Sequence, residues 1–151
     1  MVLLYSPKVG EVLECDFGDF VSPPLSPVFN GPIPNEICKK RMVIVLNGKL
    51  PNNCCLVVPV SSSGNPHSVQ RGFHVHLPPE LIKQTKFYDA RDRWAICECV
   101  THVSKQRLSV IKDAGVPVTS FLPNEVVTLI QMAMIKTLNG SALIKTQKTV
   151  D

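Results

Sequence analysis

Long apolar runs, catalytic signature motifs and aromatic residues are all scarce in this chain. No stretch reaches the roughly 20 apolar residues of a membrane-spanning helix, and the opening segment Met1–Tyr5 lacks the length and basic flank of a signal peptide. We therefore expect a cytoplasmic protein that does not associate with membranes. The motif Gly-x-Ser-x-Gly is absent, which argues against a serine-hydrolase elbow. Aromatic residues make up 6% and lie in no RNP-like order, so a stacking platform for RNA bases is weakly supported.

The composition that remains is that of one globular protein. The 151 residues are 44% apolar and 19% charged, which allows a sizeable core and is unlike a disordered chain. The net charge of +4 favours anionic partners only mildly, although basic residues cluster at Lys39–Arg41 and Arg91–Arg93. The six cysteines would suit disulfides in a secreted protein, but Cys54-Cys55 and Cys97-x-Cys99 lie in predicted strands as small apolar residues. Reduced thiols are therefore expected.

The apolar pattern predicts several short strands followed by one long helix. Strands are predicted at 10–17, 42–47, 55–60, 72–77 and 94–103, with another after the turn at 104–109. A short helix is predicted over 78–84, and a longer one begins at Pro123 and ends at Asn139-Gly140. Because strands and helices do not alternate, we expect a mainly β fold with a C-terminal helix, a small antiparallel barrel. Residues 1–140 would form this single domain and 141–151 a flexible tail.

Two segments depart from an ordinary small barrel. Five prolines between residues 18 and 38 exclude a helix interior or a central strand, and predict a long loop that either covers a site or is a surface excursion. The C-terminal helix is apolar on most of its faces. Such a helix must be covered on two sides, either by the barrel itself or by a second chain, and we favour a homodimer.

Three side chains on or beside predicted strands could handle a phosphate. Arg41 follows two lysines at a strand start, where it could hold phosphate oxygens with two parallel hydrogen bonds or simply be solvated. Ser61 and Ser62 end a strand before Gly64-Asn65, and such a turn can cradle a phosphate or be an ordinary turn. Glu98 stands among apolar residues, either as an acid–base group or in a structural ion pair.

The histidines offer a weaker signal. His74-Val75-His76 has a spacing compatible with zinc, but no third or fourth ligand is apparent, so we expect no metal and place both rings on the outer sheet face or rim. Strand alternation over 94–103 predicts that His102 shares the face of Glu98. His102 is therefore the better acid–base candidate, with a satisfied core histidine as the alternative.

Four segments of the sequence, taken in order, resemble those of the PemK/MazF family of bacterial toxins from toxin–antitoxin pairs. The resemblance covers residues 8–140 and rests on Gly10–Val12, Lys40–Val45, Val57–Ser62, and Glu98 with Val103–Leu108. It implies a dimeric SH3-like barrel related to the gyrase poison CcdB, with metal-independent endoribonuclease activity on single-stranded RNA and no cofactor. It also implies a cognate antitoxin, whose acidic segment would lie across Lys39–Arg41.

The resemblance also assigns roles to residues. Arg41 matches the arginine of the family's Arg-Pro pair, Ser61 the hydroxyl that closes the Pro-x-[Ser/Thr] strand, and Glu98 the acidic position of the later strand. Met42 stands where the family usually has proline, and Ile96 where some members have a second arginine.

These roles lead to a mechanistic hypothesis. The substrate's 2′-OH attacks the adjacent phosphorus, Arg41 stabilises the developing charge, and Ser61 positions a phosphoryl oxygen. Glu98, alone or relayed through His102, transfers a proton. The side chains expected to bind the flanking RNA are Lys39, Lys40, Ser62, Asn65 and Arg71. The alternative is a non-catalytic barrel that serves as an adaptor or a CcdB-like poison, although the ending Lys148–Asp151 lacks the C-terminal Trp-Gly-Ile of that relative.

Overall fold

The computed structural model of the chain describes residues 3–20 and 31–146. The helices are α1 (Pro66–Gln70), α2 (Asn124–Thr137) and α3 (Ser141–Thr146), and 3-10 turns occupy Pro79–Leu81, Cys97–Cys99 and Lys105–Arg107. The strands are β1 (Glu11–Asp16), β2 (Lys40–Asn47), β3 (Cys54–Ser61), β4 (His74–Leu77), β5 (Arg93–Ile96), β6 (Thr101–Ser104), β7 (Leu108–Ser109), β8 (Lys112–Asp113), β9 (Val116–Pro117) and β10 (Ser120–Phe121).

The main sheet is antiparallel and runs in the order β10-β1-β2-β3-β5-β4. Strand β6 also pairs with β3, strand β7 pairs with β1, and β8 and β9 form a separate hairpin. The predicted fold class, mainly antiparallel β with a C-terminal helix, is confirmed. Within the described ranges no pairing between the end strands β10 and β4 closes the path into a barrel.

The two central strands are buried on both faces, which explains their nearly continuous apolar sequences. Met42 and Ile44 of β2 pack in one cluster with Val58 and Val60 of β3, while Val43, Val45 and Val57 pack in a second cluster on the other face. Helix α2 covers the first cluster with Val127, Ile130 and Ala133. Each fully buried aliphatic side chain contributes about 1.5–3 kcal/mol, so these clusters hold the relative positions of β2 and β3.

The predicted strand over 94–103 was wrong, because the chain is interrupted there by the 3-10 turn Cys97–Cys99. Strand β5 pairs with Val60 and Ser61 at the end of β3, whereas β6 pairs with Cys54–Val57 at its beginning. Between these two ladders Pro59 has no N–H to donate. The 3-10 turn spans this gap and moves Glu98 off the sheet.

Other predicted segments differ in detail. The predicted helix at 78–84 is only the 3-10 turn Pro79–Leu81, and helix α1 was not predicted at all. Helix α3 occupies 141–146 of the predicted tail, and 147–151 lie outside the described residues.

The proline-rich loop begins and ends at a defined base. Gly18 and Lys39 both have a positive φ, and backbone hydrogen bonds join Phe17 N to Lys39 O (3.0 Å) and Lys39 N to Gly18 O (2.6 Å). Residues 21–30 of the loop lie outside the described ranges, so whether the loop covers a site stays a prediction. No helix in the described part of the chain is long and apolar enough to cross a membrane.

The close approach of Gly48 to the N-terminal segment gives a test of the fold. A Cβ added at Gly48 would overlap the carbonyl oxygen of Pro7, and backbone atoms cannot rotate away. We expect Gly48→Ala to lower the free energy of unfolding by about 1–3 kcal/mol, the usual range for overpacking. Urea denaturation measures this, with the exposed Lys49→Ala as a control within about 0.5 kcal/mol of wild type. Equal stability of the two variants would contradict the contact.

Candidate functional site

Arg41 and Ser61 lie just beyond the last recorded pair at one end of the β2–β3 ladder. Val43 pairs with Pro59, and the same antiparallel register continued by two residues places Arg41 opposite Ser61. Directly opposed residues of an antiparallel pair lie on the same face, here that of Val43 and Val45. Both residues are half-buried, so they lie where the covered part of this face gives way to solvent.

The Arg41 guanidinium is held by one nitrogen and keeps its other donors available. Its Nε donates to the carbonyl of Cys38 at 2.8 Å, and its terminal amino groups have no hydrogen-bond partner among the described residues. Burial raises the pKa of the nearby Cys99 thiol, Glu98 raises it further, and the Arg41 charge opposes both. The Arg41 charge therefore reaches Cys99, the residue that follows Glu98 in the chain.

Ser61 begins a tight turn that packs against a tryptophan. Its hydroxyl accepts a hydrogen bond from Ser63 N (3.1 Å) and donates to Ser63 O (3.3 Å). Gly64 lies on the Trp94 ring, since a Cβ there would come within 2.8 Å of the indole Cζ2. Trp94 is also the partner of Ser61 in the β3–β5 ladder. The hydroxyl is thus positioned by its own turn and by the ring beneath that turn.

Glu98 projects from the 3-10 turn and meets a buried histidine. Its Oε1 lies 2.6 Å from Nε2 of His74, whose side chain is 8% exposed against 40% for Glu98. The turn itself is held by Cys97 N donating to Phe73 O (3.0 Å) and by Thr101 Oγ1 donating to Cys99 O (2.6 Å). Sequence reasoning placed both histidines of the His-x-His pair on an outer face or rim, and for His74 this was wrong.

His102 lies away from this constellation. It pairs with Leu56 in the β3–β6 ladder, while Thr101 pairs with Val57, so alternation turns His102 to the face opposite Ser61. At about 3.3 Å per residue, the five steps from Leu56 to Ser61 along β3 separate the two positions by roughly 16 Å. The exposed His102 ring instead shares a 2.8 Å hydrogen bond with Asn52. The prediction that His102 shares a strand face with Glu98 was wrong, because the 3-10 turn breaks the alternation.

The residues predicted to bind flanking RNA have varied surroundings. Lys39 and Ser62 are exposed, and Lys40 forms an ion pair of 3.0 Å with Glu14. Asn65 uses its side-chain oxygen to cap helix α1, accepting from Ser68 N at 3.2 Å. The Arg71 guanidinium stacks 5.2 Å from the centre of the Phe73 ring.

The described residues include no group of three or more His, Cys, Asp or Glu side chains able to hold a metal ion. The two histidines of β4 instead have separate carboxylate partners, His74 with Glu98 and His76 with Asp92, each at 2.6 Å.

An antiparallel sheet with a C-terminal helix, and an arginine and a hydroxyl at the ends of neighbouring strands, define a small, mainly β protein with a candidate site at one end of β2 and β3. The chain belongs to the PemK/MazF toxin family: the family model for the PemK-like, MazF-like toxin of type II toxin–antitoxin systems matches residues 8–147.

Similar proteins and structures agree with this assignment. An uncharacterized protein of Haemophilus influenzae is 46% identical over 140 residues, covering 93% of this chain and 95% of its own length. The uncharacterized protein YifN of Escherichia coli K12 is 39% identical over 148 residues, covering 95% and 99%. The crystal structure of MazF (Form-I) from Deinococcus radiodurans is 15% identical, with a TM-score of 0.58, and covers 89% of this chain and 98% of its own. The MazE-MazF (Form-III) structure of the same organism has a TM-score of 0.54 at 16% identity, over 89% and 98%. At these identities the structures establish the fold.

The buried thiols make a testable contribution to stability. All six cysteines are free, and burial raises the pKa of both Cys15 and Cys97 to about 12. The unfolded thiols titrate near pH 8.5, so above that pH the unfolded chain binds fewer protons than the native protein and stability falls as pH rises. For each thiol we expect the free energy of unfolding to fall by up to about 1.4 kcal/mol per pH unit between about pH 8.5 and pH 12.

Urea unfolding in reductant, at about pH 8 and about pH 10, measures this slope. The double variant Cys15→Ala/Cys97→Ala should show a shallower fall than wild type, since its unfolded chain gains two fewer thiolates. Identical slopes for the two proteins would show that these thiols do not titrate differently on unfolding.

Proposed function

We propose that the protein is a metal-independent endoribonuclease, the toxin of a type II toxin–antitoxin pair, which cleaves single-stranded RNA. The observation that carries this proposal is the opposition of Arg41 and Ser61 across β2 and β3, at the edge of the covered face. The guanidinium keeps donors available, and planar paired N–H groups are suited to the oxygens of a phosphodiester. The Ser61 hydroxyl on the neighbouring strand can donate to a second phosphoryl oxygen by giving up its 3.3 Å hydrogen bond to Ser63 O.

In the proposed reaction the RNA supplies its own nucleophile. The 2′-oxygen forms a bond to phosphorus as its proton passes to the Glu98 carboxylate, and the bond from phosphorus to the 5′-oxygen breaks. The departing 5′-oxygen takes a proton from water, and protonated Glu98 returns its proton to the resulting hydroxide, which gives a 2′,3′-cyclic phosphate and a 5′-OH. Arg41 stabilises the charge that develops on the phosphoryl oxygens. Proton transfer of this kind is typically worth about 10²–10⁴-fold in rate.

The structure favours Glu98 over His102 as the proton acceptor. Glu98 precedes Cys99, whose thiol pKa the Arg41 charge lowers, and the Glu98 side chain is partly open to solvent. His102 lies on the other face of the sheet. Lys39, Lys40, Ser62, Asn65 and Arg71 remain proposed contacts to the flanking RNA, with Asn65 and Lys40 already engaged in the free protein.

Purified protein in a chelator is expected to cut a single-stranded RNA and to leave intact the same oligomer with a 2′-deoxy sugar at the cut. Arg41→Ala should lower kcat by about 10²–10³-fold, the usual cost of removing one donor to a developing oxyanion. Analysis of the product ends and single-turnover rates measure both effects.

A matched arginine serves as the control for this experiment. Arg91 is exposed and paired with Asp89, so Arg91→Ala removes an equal charge and should leave kcat within about twofold of wild type. Cleavage of the deoxy oligomer would contradict attack by the 2′-OH. Full activity of Arg41→Ala would contradict the role of the guanidinium and favour a non-catalytic adaptor.

We also propose an antitoxin partner that binds beside the site, as the existence of a solved MazE-MazF complex among similar folds suggests. A cavity of about 770 Å³ beside Lys40 is lined by Leu4, Phe87 and Tyr88 and has Lys112 at its edge. Glu14 also lines the cavity and pairs with Lys40, so Lys112 is the cation that could meet an acidic side chain, while the apolar walls suit an apolar one. Bound there, the segment would cover Lys40, the residue that precedes Arg41 on β2.

A homodimer is the proposed assembly. Helix α2 buries Val127, Ile130 and Ala133, but Leu129 (54%) and Met132 (47%) remain exposed on its other side. The adjacent strand β4 is the end strand of the sheet, and a groove of about 500 Å³ lies between it and α2. A second copy seated there would cover apolar surface and an unpaired strand edge together.

Met132→Glu is expected to shift the protein from dimer to monomer, because it places a charge in the apolar face that the second copy covers. Sedimentation equilibrium measures the change. Val116→Glu, an equally drastic change at an apolar residue 64% exposed on the β8–β9 hairpin, should leave the dimer intact. A wild-type monomer, or equal effects of the two substitutions, would contradict this interface.

A further inference from the structure

Strand β4 carries two histidine–carboxylate pairs that look alike but differ in burial. His74 meets Glu98 and His76 meets Asp92, each through Nε2 at 2.6 Å. The side chain of His74 is 8% exposed, whereas His76 is 46% exposed and Asp92 55%. The His76–Asp92 pair is open to solvent on both sides and therefore contributes little to stability. The hydrogen bond from the buried His74 ring instead holds the Glu98 carboxylate in one geometry.

The second ring nitrogen of His74 shows which way the hydrogen bond runs. Nδ1 is buried and has no hydrogen-bond partner among the described residues. A ring with its single proton on Nε2 donates to the Glu98 carboxylate and leaves only a lone pair unmet at Nδ1. A second proton on Nδ1 would bury a donor without an acceptor, which costs more. The geometry therefore favours a His74 ring that donates through Nε2, with Nδ1 unpaired among the described residues.

The backbone around this pair is held as firmly as the side chains. Cys97 N donates to the carbonyl of Phe73 at 3.0 Å, so residues adjacent to both members of the pair are joined. Cys97 is fully buried, and Thr101 closes the other end of the turn through the carbonyl of Cys99. Glu98 thus projects from a rigid turn with Oε1 occupied by His74.

We propose that His74 is a positioning residue, which fixes one oxygen of Glu98 so that the other is presented to the RNA 2′-OH. This inference rests on the proposed ribonuclease function, and it gives His74 no contact with substrate and no part in proton transfer. Loss of orientation alone is costly, since a displacement of about 1 Å in a reacting group can lower the rate about 10²-fold.

The test compares three variants in single-turnover cleavage of a single-stranded RNA. His74→Phe keeps the ring volume and removes the donor, so kcat should fall about 10–100-fold while KM changes by less than about twofold. His74→Gln places an amide N–H near the position of Nε2 and should recover most of the loss. His67→Phe makes the same chemical change at an exposed histidine of helix α1 and should leave kcat unchanged.

A second comparison separates positioning from a structural role. In a Glu98→Gln background, His74→Phe should cause no further loss of kcat, because the group that it positions is already gone. Thermal unfolding of every variant accompanies the kinetics. Additive losses in the double variant, failure of His74→Gln to recover, or an unchanged kcat in folded His74→Phe would each overturn the proposal.

A spectroscopic measurement keeps this inference distinct from the proposed function. Nitrogen-15 spectra of the resting protein should show the His74 ring protonated at Nε2 alone, with that proton's signal shifted by Glu98→Gln. A proton on Nδ1 would overturn the inference even in an active enzyme. Wild-type protein that cuts no RNA would instead contradict the proposed function, while the spectrum would still report whether His74 holds Glu98.

Discussion

The pairing of β2 with β3 is the constraint on which the rest of the structure depends. These strands are buried on both faces, so a slip of one residue would turn every apolar side chain into the wrong cluster. The register that satisfies both clusters pairs Val43 with Pro59 and, continued toward the strand ends, places Arg41 opposite Ser61. The packing that stabilises the protein therefore also sets the relative positions of Arg41 and Ser61, the pair proposed to bind phosphate.

The carboxylate of Glu98 is positioned by a 3-10 turn rather than by strand pairing. A continuous strand after Trp94 would have left Glu98 in the plane of the sheet, among apolar side chains with no buried partner. The 3-10 turn lifts it out instead, and the edge strand β4 supplies both the backbone acceptor for Cys97 and the imidazole for Glu98. An edge strand is usually a liability because its polar groups are unpaired. Here one of its side chains is used to orient a group on the neighbouring turn.

The parts of the fold that follow from local pattern were predictable, and those that depend on distant pairing were not. Strands β2 and β3 and helix α2 are long, apolar and bounded by turn residues, so their existence follows from the sequence. The same runs end at Arg41 and Ser61, which is why this pair could be proposed. The break at Cys97–Cys99 could not, because it arises from two ladders meeting on β3 at a proline. For the same reason His102 was placed with Glu98, and His74 was placed on an outer face or rim.

The departures of this chain from the family pattern can be judged from packing. Met42 stands where the resemblance implies proline, and it is 3% exposed in the cluster covered by α2. Its side chain points away from Arg41 by strand alternation, so the substitution fills the core and leaves the guanidinium on the opposite face. Ile96 stands where some members have a second arginine, and it pairs with His74 on β4. In the proposed reaction a site with one arginine relies on a well-placed carboxylate for proton transfer, and the buried His74 ring beside Ile96 would hold that carboxylate in place.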